Sequence, residues 1–209
     1  GDRTIAIAWM SAWSYADRTP TEQFRSVNSL PRDISLFTVG EDIYASATPS
    51  EEVSSLRTST AEIETFLVDN AASKDVAVGG YDAYEVSFTL KPQFEGKTKV
   101  TLCNACGEKF SLEFDTENMT VLADRSESGK MTRIKSFVLM PAAPLGLCNS
   151  SDGYDVDVFV DKCSVEVFVD GGRIAMTNLV FPSESFDNIV FESTGESEIS
   201  NMFIHKIGK

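Results

Sequence analysis

At 209 residues and 42% hydrophobic content, the chain can form one large β domain, or one domain with a fragment beside it, around a proper core. Its 18 Lys and Arg against 32 Asp and Glu give a net charge of −14, which argues against a nucleic-acid partner, because phosphate binding needs clustered cations. The acidity serves solubility and neither requires nor excludes a neutral sugar. No apolar leader segment and no run of 18 or more apolar residues occurs, so neither a signal peptide nor a membrane span is expected in these residues. Gly1 reads as the remnant of a cleaved tag, with the native-looking sequence starting at Asp2.

The elements follow in chain order. Ile5, Ile7 and Trp9 alternate, which places Trp9 in a core. After Pro49, residues 51–57 suit a helical connector of about one turn and a half. The compositional break at 50–58 is the best boundary, dividing the chain into 1–57 and 58–209. Beyond it strands dominate, with candidates at 60–68, 97–103, 108–114, 118–123, 134–140, 173–180, 187–193 and 199–207. Tyr84, Val86, Phe88 and Leu90 share one face and Glu85, Ser87 and Thr89 the other, the period of a half-buried antiparallel strand. Val156, Val158 and Val160 alternate with Asp155, Asp157 and Phe159; Val165, Val167 and Val169 alternate with Glu166 and Phe168. Asp170-Gly171-Gly172 supplies the positive-φ positions of a tight hairpin, and Gly79-Gly80, Ser128-Gly129 and Asp152-Gly153 mark further turns. The fold class is all-β, and many short strands with polar turns point to an antiparallel sandwich or barrel.

The cysteines are Cys103, Cys106, Cys148 and Cys163. Cys103-Asn104-Ala105-Cys106 admits a zinc site, which wants a second close pair, or a redox motif, which wants a helix after the first Cys. Cys148 and Cys163 are widely spaced and the flanks are strand-like, so the better reading is ordinary small apolar residues or a hairpin-tip disulfide; Cys148 with Cys163 forms another conceivable pair. His205 is the only histidine, so Ser-His-Asp, Cys-His and multi-His metal chemistry would all run through one C-terminal strand. The better reading is a strand histidine with a satisfied ring. Neither a metal nor a cofactor is expected.

Three ordered motifs cover most of the chain. The first comprises Ala8-Trp9-Met10, Ala12-Trp13, Tyr15-Ala16, Pro20-Thr21, Phe24-Arg25-Ser26 and Ser29-Leu30-Pro31-Arg32-Asp33-Ile34. The second is Ala123-Asp124-Arg125-Ser126-Glu127-Ser128-Gly129, and the third runs Asp161-Lys162-Cys163-Ser164-Val165-Glu166-Val167-Phe168-Val169-Asp170-Gly171-Gly172, followed by Phe181-Pro182. Together they resemble the closing blade and C-terminal region of family 32 glycoside hydrolases (invertases, inulinases, levanases), with departures at Ala8, Ala12, Phe24, Asp33 and Ile34 that keep the spacing.

The resemblance implies the last strands of a β-propeller blade, followed by an antiparallel β-sandwich. It also implies a parent enzyme that hydrolyses fructosyl linkages with two carboxyl groups, held roughly 5 Å apart when configuration is retained. The family's Trp-Met-Asn-Asp-Pro-Asn-Gly, Arg-Asp-Pro and Glu-Cys motifs are absent here. No catalytic residue is therefore assigned, and the chain alone is expected to be inactive. Trp13 is the candidate substrate contact, its family counterpart lying near the mouth of the active-site funnel; blade packing is the competing role. Arg25 and Arg32 are expected in positional salt bridges with acids across blades, and Asp161 and Glu166 as hydrogen-bonded or solvated acids of a hairpin.

The leading function is a non-catalytic support for the upstream propeller of an enzyme acting on sucrose or fructan. The alternative is a stand-alone fructan-binding module, with Tyr81, Tyr84, Tyr154 and Phe159 as candidate stacking residues. Residues 1–50 are expected either to fold back on the sandwich or to expose a face that drives homo-oligomerisation. Localisation stays open, with extracellular or periplasmic favoured over cytoplasmic.

Overall fold

The computed structural model describes residues 2–25, 27–140, 142–149 and 151–208; Gly1, and Ser26 of the first motif, lie outside the described residues. The first sheet holds β1 (Ile5–Ala6), β2 (Arg32–Val39) and β3 (Asp42–Pro49), in that order. A single-turn 3-10 helix, Ala16–Arg18, interrupts the long excursion between β1 and β2, and another, Glu51–Leu56, forms the connector. Then come β4 (Arg57–Ile63), β5 (Phe66–Val68), β6 (Lys74–Ala77), β7 (Tyr84–Pro92), β8 (Lys97–Cys103), β9 (Lys109–Asp115), β10 (Thr120–Glu127) and β11 (Ala142–Pro144). The last strands are β12 (Tyr154–Asp161), β13 (Ser164–Val169), β14 (Ile174–Leu179), β15 (Asn188–Ser193) and β16 (Ser197–Ile207).

These build a β-sandwich of two antiparallel sheets. One has six strands, β11-β10-β9-β8-β15-β6; the other has seven, with β14-β13-β12-β7-β16-β4 side by side and β5 also on β16. Period-2 alternation makes the core: Tyr84, Val86, Phe88 and Leu90 of β7 and Val156, Val158 and Val160 of β12 point inward. They meet Val100, Leu102, Phe110, Leu112, Phe114, Ile189 and Phe191 from the facing sheet. The valines of β13 join this core, yet every residue of β13 is buried. Its other face, Glu166 and Phe168, is covered by residues that precede the sandwich. Phe168 packs with Val53 and Phe159, and Leu30 lies against them.

Three expectations change. Residues 134–140 form turns rather than a strand, with Ile134 N–H donating to Met131 O at 3.0 Å and Phe137 N–H to Ile134 O at 2.9 Å. Ile134, Phe137 and Val138 all face one cluster, a spacing of three and one that an alternating strand cannot present. Trp9 is not in the core: β1 ends at Ala6, and the Trp9 side is open, with 36% of the residue exposed. Residues 60–68 divide at Glu64-Thr65 into β4 and β5. The turn between β8 and β9 is held by Asn104, whose Oδ1 accepts from Cys106 N–H and Glu108 N–H at 3.1 Å each. All four thiols are free, so neither conceivable disulfide forms.

Candidate functional site

The three sequence motifs meet where the first sheet lies against the sandwich. Residues 8–10 pair with 27–29: Ser29 N–H donates to Ala8 O at 2.8 Å, Ala8 N–H to Ser29 Oγ at 3.1 Å, and Met10 N–H to Val27 O at 3.0 Å. Met10 and Tyr15 are then buried against Met131, Phe137, Leu179 and Phe181 of the sandwich side. The Arg125 guanidinium lies 4.2 Å from the centre of the Phe137 ring and 5.6 Å from that of Tyr15, and its Nε–H donates to Phe137 O at 2.8 Å. Gly129 crosses Phe181 so closely that a Cβ there would sit 2.0 Å from Phe181 O, a contact only glycine permits. Thus Arg125, Gly129 and Phe181-Pro182 do structural work at one seam.

The same seam presents an aromatic platform. The Tyr15 and Ala16 N–H groups both bond back to Ala12 O, at 3.1 and 2.9 Å, making the tight turn that returns Trp13 toward Trp9. The two indole rings are 5.0 Å apart and inclined at 56°. Trp13 is 89% exposed. With Ala16, Asp17 and Arg25 the rings line an open concavity of about 520 Å³. Arg25 Nη1 donates to Asp17 O and Thr19 O, both at 2.9 Å, which closes the loop and fixes the guanidinium at the concavity's edge. Indole faces suit the C–H surface of a sugar ring, and a flanking carboxylate and guanidinium can accept and donate hydrogen bonds with its hydroxyls. The sequence singled out Trp13. It missed Trp9 as its partner, although two tryptophans four residues apart around a turn-forming Ala12 were the available signal.

Asp161 and Glu166 sit as the hydrogen-bonded or solvated acids expected of the hairpin. Asp161 is exposed, and its Oδ1 accepts from the N–H of Lys162 at 2.7 Å. Glu166, 4% exposed, accepts from Leu30 N–H at 2.8 Å and forms an ion pair with Arg32. Arg32 therefore pairs with a sandwich acid instead of one on a neighbouring blade; it also donates to Thr177 Oγ1 and lies 5.0 Å from the centre of the Phe168 ring. Arg25 makes backbone hydrogen bonds and no salt bridge is seen for it among the described residues.

A second group was not anticipated. Register aligns Thr60, His205, Glu85, Phe159, Glu166 and Thr177 in one row across β4, β16, β7, β12, β13 and β14. Glu85, 1% exposed, is gripped by Arg57 through Nε at 2.7 Å and Nη2 at 2.6 Å. Asp157 lines the same cavity of about 240 Å³. Burial, then the charge of Glu85, pushes its carboxyl up to about 6. Glu85 and Asp157 thus form a carboxyl pair in one cavity; Arg57, which lines it with them, is bonded to Glu85 and offsets the charge of Asp157 only in part. His205 Nδ1 and Thr60 Oγ1 are hydrogen-bonded at 2.8 Å, as expected of a satisfied strand histidine; burial and then Arg57 hold its pKa below the ordinary value.

The candidate stacking residues of a sugar-binding module are largely unavailable. Tyr84, Tyr154 and Phe159 are buried, and the half-buried Tyr81 ring lies under Lys206 at 5.5 Å. Among the described residues no group of three or more His, Cys, Asp or Glu side chains is arranged to hold a metal ion, and no helix is long and apolar enough to cross a membrane.

Residues 52–206 match the model for the C-terminal domain of glycosyl hydrolases family 32, and residues 1–52 match that for the family's N-terminal domain. A levanase from Bacillus subtilis (strain 168) is 28% identical over 211 residues, covering 99% of this chain and 31% of its own length. An extracellular exo-inulinase from Aspergillus awamori is 26% identical over 195 residues, covering 91% of this chain and 36% of its own length. The crystal structure of exo-inulinase from the same organism, 26% identical, superposes with a TM-score of 0.79 over 98% of this chain and 40% of that one. A fructofuranosidase from Schwanniomyces occidentalis, solved with fructosylnystose, shares the fold at 21% identity, with a TM-score of 0.82 over 100% of this chain and 46% of that one. The chain thus spans about a third of the length of the curated relatives it matches. With one family model covering most of the chain and its companion the remainder of the N-terminal side, the protein belongs to glycosyl hydrolase family 32.

Proposed function

We propose that this chain is the non-catalytic C-terminal part of an enzyme acting on fructosyl linkages in sucrose or fructans. It divides into the end of a propeller blade with its connector, 1–57, and a sandwich, 58–209. The sandwich supports an upstream propeller, its partner within the parent enzyme, by gripping the last blade. One observation supports this reading: the segment that precedes the sandwich covers its outer sheet face, with Glu166 buried against Leu30 and Arg32. Held geometry matters because a misplacement near 1 Å can cost on the order of 100-fold in rate. Trp13, on the platform beside the seam, contributes a sugar contact to the site that the propeller completes.

The buried, ion-paired glutamates support the non-catalytic assignment. Glu85 and Glu166 are each committed to an arginine, and Asp161 to a backbone N–H. A stand-alone fructan-binding role has less support, since three of its four candidate aromatics lie in the interior.

Purified chain incubated with sucrose, inulin or levan is expected to release no fructose above the blank. Fructose release that survives heat-treated controls and repeats across preparations overturns the assignment. Titration with a fructo-oligosaccharide, followed by tryptophan fluorescence, is expected to give a weak saturable change that Trp13→Ala removes.

A further inference from the structure

We propose that Glu166 is a positioning residue for the Trp9–Trp13 platform: a sandwich carboxylate that sets the spacing of two rings on the preceding segment. The inference rests, for its functional meaning, on the reading of Trp13 as a sugar contact.

The path is short. Glu166 Oε1 accepts from Leu30 N–H at 2.8 Å, fixing the strand-like segment 28–30 to β13. Asn28 in that segment is bridged to Trp9, and Ser29 exchanges hydrogen bonds with Ala8 through both its backbone and its hydroxyl. The other carboxylate oxygen holds Arg32, which is braced by Thr177 and by the Phe168 ring 5.0 Å away. One end of the tryptophan segment is therefore tied to β13 and β14. The other end is tied through Tyr15, whose ring meets Phe137 edge-on at 5.3 Å, and through Ser136 Oγ, which donates to Ser14 O at 3.3 Å. Trp13 lies between these two anchors. The hydrogen bonds of Arg25 are internal to the segment and cannot hold it to the sandwich.

A buried carboxylate is costly unless it is paired, and replacing it leaves its partners unsatisfied. Glu166→Gln keeps the shape and one acceptor but loses the charge that holds Arg32. The 28–32 segment then loosens, and the bridge to Trp9 loosens with it.

The chain contains two tryptophans, so its indole signals report this platform alone. Rings this close couple excitonically, giving a paired band in far-ultraviolet circular dichroism. Wild type is expected to show the couplet, Trp13→Phe to abolish it, and Glu166→Gln to weaken it by about half, with fructo-oligosaccharide binding roughly five-fold weaker. Glu85→Gln is the control, because it breaks another buried ion pair on the same sheet face but away from the rings; it is expected to lower Tm and leave the couplet unchanged.

A wild-type couplet and affinity in folded Glu166→Gln overturn the proposal, as does an equal loss in Glu85→Gln. If Glu166→Gln shows no cooperative melt, Arg32→Lys replaces it: partial loss of the couplet supports the proposal and an unchanged couplet overturns it. A couplet that responds to Glu166 in a protein giving no sugar response upholds the positioning role and sinks the sugar reading of Trp13. Sugar binding lost in Trp13→Phe but intact in Glu166→Gln does the reverse.

Discussion

Asp157 carries an unfavourable charge that the fold tolerates. Its carboxyl is raised from the ordinary 3.8 to about 6 by burial and by Glu85, only partly relieved by Arg57. A carboxyl raised in the folded state contributes most below its unfolded value. That contribution is lost as pH rises through the folded one. The loss falls between 3.8 and about 6 and is complete at neutral pH. Asp157→Asn should therefore stabilise the protein at pH 8 by on the order of 1–2 kcal/mol and leave it unchanged near pH 3.5, measured by urea denaturation at both. His205 works in the opposite sense, since burial and Arg57 favour its neutral ring and acidification below the ordinary 6.5 costs stability. Comparing variant with wild type at each pH isolates the aspartate. The aspartate's alternation with Val156 and Val158 was visible in the sequence. Its proximity to Glu85 was not, because that depends on the register of two strands about 70 residues apart.

Among the elements, the β13–β14 hairpin shows how much a turn motif reveals. Asp170-Gly171-Gly172 was readable as a tight turn because positive φ is a local demand, and all three residues adopt it. That the turn also seats β3 was not readable, since Ala47 lies more than a hundred residues earlier. Ala47 N–H donates to Gly172 O at 2.9 Å, and Thr48 Oγ1 to Gly171 O at 2.6 Å. The two glycines differ sharply. A Cβ on Gly171 meets nothing within 4 Å, whereas one on Gly172 would lie 2.2 Å from Ala47 O. Gly171→Ala should cost about 1 kcal/mol for its φ alone, and Gly172→Ala about 3 kcal/mol or more, by denaturant unfolding. Equal costs would mean that β3 does not rest on the turn. The β7, β12 and β13 alternations were legible for the same local reason. The apolar residues of 134–140 serve a docking cluster, and composition alone does not tell that from a strand. At the candidate site Trp13 is legible through a motif, whereas the alternation of Trp9 with Ile5 and Ile7 misleads because it outlasts the strand, which ends at Ala6.

For the molecule as a whole, the first sheet is half covered. Met10, Tyr15, Leu30 and Arg32 fold back on the sandwich, but Leu36 is 73% exposed and Ile43 69%, and Ile5, Ile7 and Phe24 are open as well. Leu36 and Ile43 are diagonal neighbours on one face of β2 and β3, an exposed apolar pair open to a second chain. The chain by itself is expected to self-associate as concentration rises, and the double substitution Leu36→Glu with Ile43→Glu to abolish this, as followed by sedimentation velocity. A wild-type chain that stays monomeric across a hundred-fold concentration range would remove this expectation.

β13 is enclosed from above and below, its valines by one part of the chain and its glutamate and phenylalanine by the other. Trimming away residues 1–57 would leave a charged carboxylate and a bare aromatic ring on the remaining surface. The two parts are thus poor candidates for shuffling between unrelated proteins as separate cassettes, and lineages that keep one are expected to inherit the other with it.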